Sequence, residues 1–349
     1  MQVEGKWSDM QTRGFVVLRN VISADLLAAA EEDARAKGAK QSGMYGAMSL
    51  AASSVEKAFQ ARLQEALAQI RQNTDLQPTE FQPLSWYFAR ATEQWHTDPP
   101  AYWAFQNFYQ YLNFWIPIVK PRADRTGLSL VPMDVLAEKA PKVFEALYRR
   151  GAALFIPASI AAKGERAIID HLDLRNEPTA EEKAALEAEQ AAHPALVIEI
   201  EGRMRVVPMD VDILELAVTP DVVPGDMIIA RGDVLHKGQD NETQRVALSI
   251  RAVDGSLQVR KSFFLGFSEH ARLRLASPGH PLGKKMLGAF AFYGRDVISA
   301  SEVIKFMFAV DSKDEAALKV VADITPRIPE LLGLQDFKAG KDLFGAIEK

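Results

Sequence analysis

Residues 219–253 read TPDVVPGDMIIARGDVLHKGQDNETQRVALSIRAV, and this stretch constrains the fold more than any other. Two short apolar runs, "DMIIA" and "RVALSIRAV", are separated by glycine, asparagine, aspartate and charged residues. Neither run is long enough for a typical helix, and both are rich in β-branched residues, so they read as strands. A strand, a tight turn, a histidine, a polar loop and a returning strand belong to an antiparallel sheet rather than to a parallel one with helical crossovers. Within the last run Arg245, Ala247, Ser249 and Arg251 share one face, because successive strand side chains alternate.

The rest of the chain extends this picture. "GFVVLRNV" (14–21) reads as an opening strand, followed by a helix over "ADLLAAAEEDARAK" with Ser23 before it and Gly38 as its stop. A second helical pattern covers roughly 53–72. From Phe81 onward the texture becomes β-branched and aromatic, in "LSWYFARAT", "WAFQNFYQYLNFWIPIV" and "TGLSLVP", with turn chemistry at "TDPP" and "KPRADRTG". The segment 134–195 turns helical again, with alanine- and glutamate-rich stretches and a capping box from Thr179 to Glu182. Strand-like runs return in "ALVIEI", "RMRVVPM" and "ILELAV", and residues 256–349 are mostly helical. The expectation is one domain, 1–349, with a mainly β core over about 11–255. A helical N-terminal part, a helical insert at about 134–195 and a helical C-terminal extension at 256–349 complete it.

Composition narrows the function classes. Of 349 residues, 48% are hydrophobic and 25% charged, the balance of a globular chain, and the net charge of −5 offers no basic footprint for nucleic acid or anionic membrane. No apolar stretch approaches the roughly 20 residues of a membrane helix, and the N-terminus lacks the order of a signal peptide, so a cytoplasmic protein is expected. The chain has no cysteine. A transition-metal site must therefore draw on histidine and carboxylate.

Six histidines are present: His96, His171, His193, His236, His270 and His280. His96 lies in "EQWHTDPPAYW", and Asp98 follows two residues later, so an extended segment projects imidazole and carboxylate from the same face. With His236 as a third ligand, the set would be a two-histidine, one-carboxylate facial triad, which suits non-haem Fe(II) and leaves coordination positions open. Arg245, returning on the adjacent strand, could hold a carboxylate some distance from the metal through a bidentate pair. A five-carbon dicarboxylate such as 2-oxoglutarate fits that spacing. Arg251 is an alternative on the same face. Tyr109, Tyr111 and Asn113 share one parity in the aromatic run, which makes them candidates for touching the co-substrate.

The order of these features resembles the phytanoyl-CoA dioxygenase-like branch of the Fe(II)/2-oxoglutarate oxygenases. It consists of H-x-D at 96–98, then G-D before an apolar strand and His236, then N-x-x-x-R-x-A-x-S ending at Ser249. The opening "GFVVLRNVISADLL" and the pair within "YLNFWIPIVKPRADRTGLSLVP" are similar to elements of the same branch. The resemblance covers about 11–135 and 218–255. It implies a double-stranded β-helix (jelly-roll, cupin-like) core, with His96, Asp98 and His236 holding Fe(II) and Arg245 binding the distal carboxylate of 2-oxoglutarate. O2 would be the second co-substrate, a small molecule the substrate, and succinate and CO2 the co-products. A carboxylate at 98 points to hydroxylation or desaturation, since halogenating relatives carry a small residue there. "VPMDVL" stands where the family has a small "PGSH" turn, and the insert is longer than most members carry.

Other readings accompany this one. His96 and Asp98 could form a solvated turn before the prolines, and Arg245 could be a surface charge. "DHLDLRN" holds a second H-x-D, His171 and Asp173, within the insert, where a structural or substrate-proximal role is expected. A same-fold metalloprotein that does not use 2-oxoglutarate, or a non-catalytic ligand-binding relative, would share most of these residues. The insert is a candidate lid, and the C-terminal helices a candidate homodimer surface.

Overall fold

The protein is described from a computed structural model, covering residues 2–36, 43–47, 54–82, 86–89, 95–97, 111–122, 127–148, 152–155, 195–200, 203–208, 211–238, 245–266, 272, 275–276 and 283–334. Along the chain the elements are β1 (Gln2–Glu4), α1 (Asp9–Thr12), β2 (Phe15–Arg19), α2 (Ala24–Ala36), β3 (Gly43–Ala47) and α3 (Ser54–Asn73). Then come β4 (Glu80–Phe81), β5 (Trp86–Ala89), β6 (Tyr111–Val119), β7 (Leu128–Leu130), α4 (Met133–Lys139), α5 (Pro141–Tyr148) and β8 (Ala152–Phe155). They are followed by β9 (Ala195–Ile200), β10 (Arg203–Pro208), α6 (Ile213–Leu216), β11 (Met227–Arg231), β12 (His236–Gly238), β13 (Val246–Val253) and β14 (Gln258–Arg260). The last elements are α7 (Gly283–Tyr293), β15 (Val297–Ser299), α8 (Ala300–Asp311), α9 (Glu315–Ile324) and α10 (Ile328–Leu331). Two compact units emerge, 1–139 with 216–257, and 140–215 with 258–349.

The first unit is built on an eight-stranded antiparallel sheet ordered β1-β2-β11-β6-β13-β5-β3, with β4 also paired to β13. A smaller ladder lies beside it in sequence order. His96 bridges to His236 of β12, β12 pairs with β7, and Leu130 of β7 bridges to Val218. The chain therefore visits the large sheet at β5, the small ladder at 95–97, and the large sheet at β6. It then takes the small ladder at β7 and Val218, the large sheet at β11, the small ladder at β12 and the large sheet at β13. That path is the double-stranded β-helix, in which two sheets are filled from alternate parts of the chain; here β1, β2, β3 and β4 extend the larger one to eight strands.

Strand parity decides what each face of the large sheet covers. Leu112, Phe114, Ile116 and Ile118 of β6 join Leu248, Ile250 and Ala252 of β13 and Met227 and Ile229 of β11 in one apolar cluster. Ala30 and Ala34 of α2 and Phe59, Leu63, Ala66, Leu67 and Ile70 of α3 close that cluster, so the two predicted N-terminal helices cover this face. Burying each such Leu, Ile or Phe side chain contributes about 1.5–3 kcal/mol. The opposite parity, Tyr111, Asn113, Trp115 and Pro117 with Ala247, Ser249 and Arg251, is left for the other face.

The second unit holds an antiparallel trio ordered β10-β9-β8, the ladder β14-β15, and the helices α7 to α10. β9 and β10 pair antiparallel, with Ile200 opposite Arg203. Two local readings change. The helical reading of the stretch after 134 is divided into α4 and α5, because Pro141 disfavours helical backbone at Ala140 and starts the next helix itself. "ILELAV" opens as a helical turn: the Asp212 side chain accepts the Leu214 N–H at 2.8 Å, and this local bond competes with strand pairing. The segment expected to be a helical insert also carries β8, and the stretch 178–193 lies outside the described residues. Among the described residues no helix is long and apolar enough to cross a membrane.

Candidate metal and co-substrate site

The small ladder brings the two histidines together. His96 N–H donates to the His236 carbonyl at 3.0 Å, and His236 N–H donates back to His96 at 2.8 Å. The rings stand with centroids 4.4 Å apart at 49°. His236 is flanked on the other side by Leu130 of β7, so it sits on the central strand of the ladder.

The His236 ring is oriented by the chain just before it. Its Nδ1 lies 2.9 Å from the Val234 carbonyl. A carbonyl only accepts, so Nδ1 carries a proton, and in the neutral ring Nε2 then keeps its lone pair, the tautomer that a metal needs. The turn carrying Val234 is itself fixed. Arg231 Nε and Nη2 reach the Asp233 carboxylate at 3.0 and 2.5 Å, and both side chains are buried. Burial pushes the Asp233 carboxyl upward, while the Arg231 guanidinium pulls it back. Arg231 N–H donates to Gly14 at 2.8 Å, Gly232 N–H to Tyr111 at 2.9 Å, and Val234 N–H to Arg231 at 3.2 Å. Gly14 has φ +86°, and a Cβ there would come within 2.4 Å of Val234 Cγ2, so the turn rests directly against a glycine.

These residues fit a metal. With a metal–nitrogen bond of about 2.1 Å and ring centroids about 1.1 Å farther out, two imidazoles at right angles on one ion have centroids about 4.5 Å apart. The observed 4.4 Å matches that value. Asp98 lies outside the described residues, and among those described no group of three metal-ligating side chains occurs. Tyr109, His171, Asp173, His193, His270 and His280 also lie outside them.

Arg245 immediately precedes β13 and is only 2% exposed. Its Nη1 points to the Gly127 carbonyl at 3.3 Å, and its guanidinium carbon lies 5.9 Å from the Trp115 ring centre. Gly127 precedes Leu128, and Leu128 pairs with Gly238, two residues beyond His236. Two residues of strand rise about 7 Å, a span that the five-carbon backbone of a dicarboxylate and a long arginine side chain can bridge. Tyr111 is fully buried at the start of β6, while Asn113 is half-buried. Arg251, which the sequence offers as an alternative to Arg245, as a neighbour of the site or as a member of a structural ion pair, sits directly opposite Asn113.

The Arg231–Asp233 pair escapes a reading of the sequence that looks for ligands. The signal is nonetheless there: opposite charges two apart, where a buried apolar strand ends, lie on one side of the chain and can pair.

No protein-family model and no curated protein matches the sequence. Solved structures with a similar course of the chain include the non-heme alpha-ketoglutarate-dependent epimerase SnoN from nogalamycin biosynthesis, 14% identical over 72% of this chain and 82% of that one, TM-score 0.41. A Pseudomonas putida prolyl-4-hydroxylase is 11% identical over 71% of this chain and 96% of its own, TM-score 0.38. EvdO2 from Micromonospora carbonacea var. aurantiaca, complexed with 2-oxoglutarate, is 13% identical over 72% and 93%, TM-score 0.37. These similarities are distant, and the jelly-roll assignment rests on the strand order and register of the chain itself.

Proposed function

We propose that this chain is a non-haem Fe(II)- and 2-oxoglutarate-dependent oxygenase of the phytanoyl-CoA dioxygenase-like kind, hydroxylating or desaturating a small molecule. The observation that carries the reading is the His96–His236 bridge, with its 4.4 Å ring spacing and the Val234 carbonyl 2.9 Å from His236 Nδ1, which turns Nε2 of the ring away from that bond. His96, Asp98 and His236 would hold the iron, and Arg245 would take the distal carboxylate of 2-oxoglutarate. When bound, iron and 2-oxoglutarate supply the oxidising chemistry with O2, leaving succinate and CO2. The chain's own contribution is to orient the ligands and to exclude water around the reacting groups. A buried guanidinium favours this role, because a carboxylate is held more strongly where solvent does not screen it.

The test is anaerobic addition of Fe(II) and 2-oxoglutarate to the purified protein, followed by visible absorption. A weak charge-transfer band is expected in the wild type and in His171→Ala, and none in His96→Ala or His236→Ala. Arg245→Gln should raise the 2-oxoglutarate concentration needed for the band at least tenfold. Failure of the wild-type protein to give the band refutes the proposal.

A further inference from the structure

We propose that Gln82 and Ser249 form an uncharged hydrogen-bonding site that binds a carboxamide of the molecule to be oxidised. The observation is a pair of buried polar side chains with nothing to bond. Gln82 is 2% exposed and Ser249 4%. Among the described residues, neither the Gln82 carboxamide nor the Ser249 hydroxyl forms a hydrogen bond. Other buried polar side chains of the same unit are held. Asp226 accepts from Arg19 and from the Asn20 and Val223 N–H groups, Ser129 meets Thr219 at 2.7 Å, and Arg231 pairs with Asp233. A polar group taken out of water without a partner is disfavoured, and folded chains keep one where a ligand or a water completes it.

The register puts both groups on one face of the large sheet. Phe81 pairs with Ala252, and Phe81 and Ala252 belong to the apolar cluster that α2 and α3 close. Gln82 is the next residue, and its N–H donates to the Arg251 carbonyl at 2.9 Å, so the pairing continues and its side chain takes the opposite face. Ser249 precedes Arg251 by two residues on β13 and shares that face, opposite Trp115. Gln82 and Ser249 are therefore diagonal neighbours on adjacent strands, about 7–8 Å apart. Trp115 and Ala247, on the same face, are buried as well. Arg245 lies four residues of strand from Ser249, about 13 Å along β13. Its guanidinium is turned toward Gly127. The pair thus stands apart from the arginine assigned to 2-oxoglutarate.

The chemistry selects an amide. Gln82 offers two donors and one acceptor oxygen, and Ser249 a hydroxyl that donates or accepts. A carboxamide on the ligand presents the complementary functions, an N–H for the Gln82 oxygen and a carbonyl for the Ser249 hydroxyl. With one hydrogen bond of about 2.9 Å at each end, it bridges a diagonal of this size. An ester or a carboxylate keeps the acceptor but has no donor for the Gln82 oxygen. A site built to bond an N–H rejects an analogue that lacks it, because the protein group is then buried unpaired. The assignment of this ligand as the oxidised substrate rests on the oxygenase reading; the amide site itself does not.

The experiment compares wild type, Gln82→Met and Ser249→Ala. The probes are 3-phenylpropanamide, octanamide and N-acetyl-leucinamide, each matched with its methyl ester and its acid. Binding is followed by ligand-observed NMR with and without Ni(II) and 2-oxoglutarate. At least one amide is expected to bind the wild type tenfold or more tightly than its ester and its acid. That preference should disappear in Gln82→Met and fall at least threefold in Ser249→Ala. Without ligand, the melting temperature of Gln82→Met should equal or exceed that of the wild type, since an apolar group of similar shape replaces an unbonded amide. The affinity for 2-oxoglutarate should change less than twofold in either variant. No binding of any amide, equal binding of amide and ester, or an amide preference that survives in Gln82→Met overturns the proposal. So does a lower melting temperature in Gln82→Met, which would make the carboxamide a structural group held through buried water. A tenfold loss of 2-oxoglutarate affinity in Gln82→Met also overturns it, by assigning the residue to the co-substrate. Amide selectivity that depends on Gln82, in a wild-type protein that binds no 2-oxoglutarate, would sink the oxygenase reading and leave the amide site standing.

Discussion

At the residue scale the decisive contacts lie between Arg231 and His236. A guanidinium and a carboxylate are both taken out of water there, and each depends on the other for compensation. Removing one partner leaves the other buried without its counter-charge, which costs about 3–5 kcal/mol in comparable pairs. Asp233→Ala is therefore expected to lose stability on that scale in urea denaturation. It should also weaken Ni(II) binding, since Val234 and the His236 ring orientation lie within the same turn. A stability loss with unchanged metal affinity would show that the pair holds the fold but not the histidine. The "H-T-D" and the histidine-to-arginine segment were visible in the sequence as candidate chemistry, because residue type and spacing are local properties. The role of the Val234 carbonyl was not, since every residue has a carbonyl and only the folded turn aims one at Nδ1.

At the element scale, two junctions carry testable consequences. Gly14 ends the link from α1 to β2 with a backbone at φ +86°, where side chains are strained by about 1–3 kcal/mol, and Val234 occupies the space a Cβ needs. Gly14→Ala should lower the melting temperature and perturb metal binding, both through the Val234 turn. At the start of α8, Ser299 Oγ accepts the Glu302 N–H at 3.2 Å and Glu302 accepts the Ser299 N–H at 2.8 Å. Arg295 also pairs with Glu302. The Ser299 backbone bond is the main cause that holds the Glu302 carboxyl below its ordinary value of 4.5. A carboxyl depressed on folding stabilises the protein fully above that ordinary value, and the contribution disappears as pH falls through the folded value. Stability measured from pH 6 to 3 should drop more steeply in the wild type than in Glu302→Gln. Parallel curves would count against the capping role. The helices α2 and α3 follow the apolar periodicity of their own segments, and the strands β2, β6, β11 and β13 follow their β-branched and aromatic runs. The break at Ala140 and the turn at Asp212 depart from it, because a proline and a side-chain-to-backbone bond act within a few residues and override the wider pattern.

At the scale of the whole molecule, the metal and the co-substrate are expected to act as ligands of the folded state. A ligand present at a hundred times its dissociation constant adds about 2.7 kcal/mol by mass action. Ni(II) with 2-oxoglutarate should therefore raise the melting temperature of the wild type, and EDTA should reverse the rise. His236→Ala should show neither effect, and an equal rise in that variant would detach the stabilisation from the histidine pair. Taken by itself, the sequence determined the strands and helices of the N-terminal part and of the histidine-to-arginine segment, and which side chains of a given strand share a face. Strand parity is a local property, and it was enough to group Tyr111 with Asn113 on β6 and Ala247 and Ser249 with Arg251 on β13. Only the tertiary structure decided which strand lies beside which, and in what register. That pairing sets His96 against His236, anchors Gly232 to Tyr111 and faces Arg251 with Asn113. Register is fixed by hydrogen bonds and packing between segments far apart in the chain, and no local pattern encodes that partner choice.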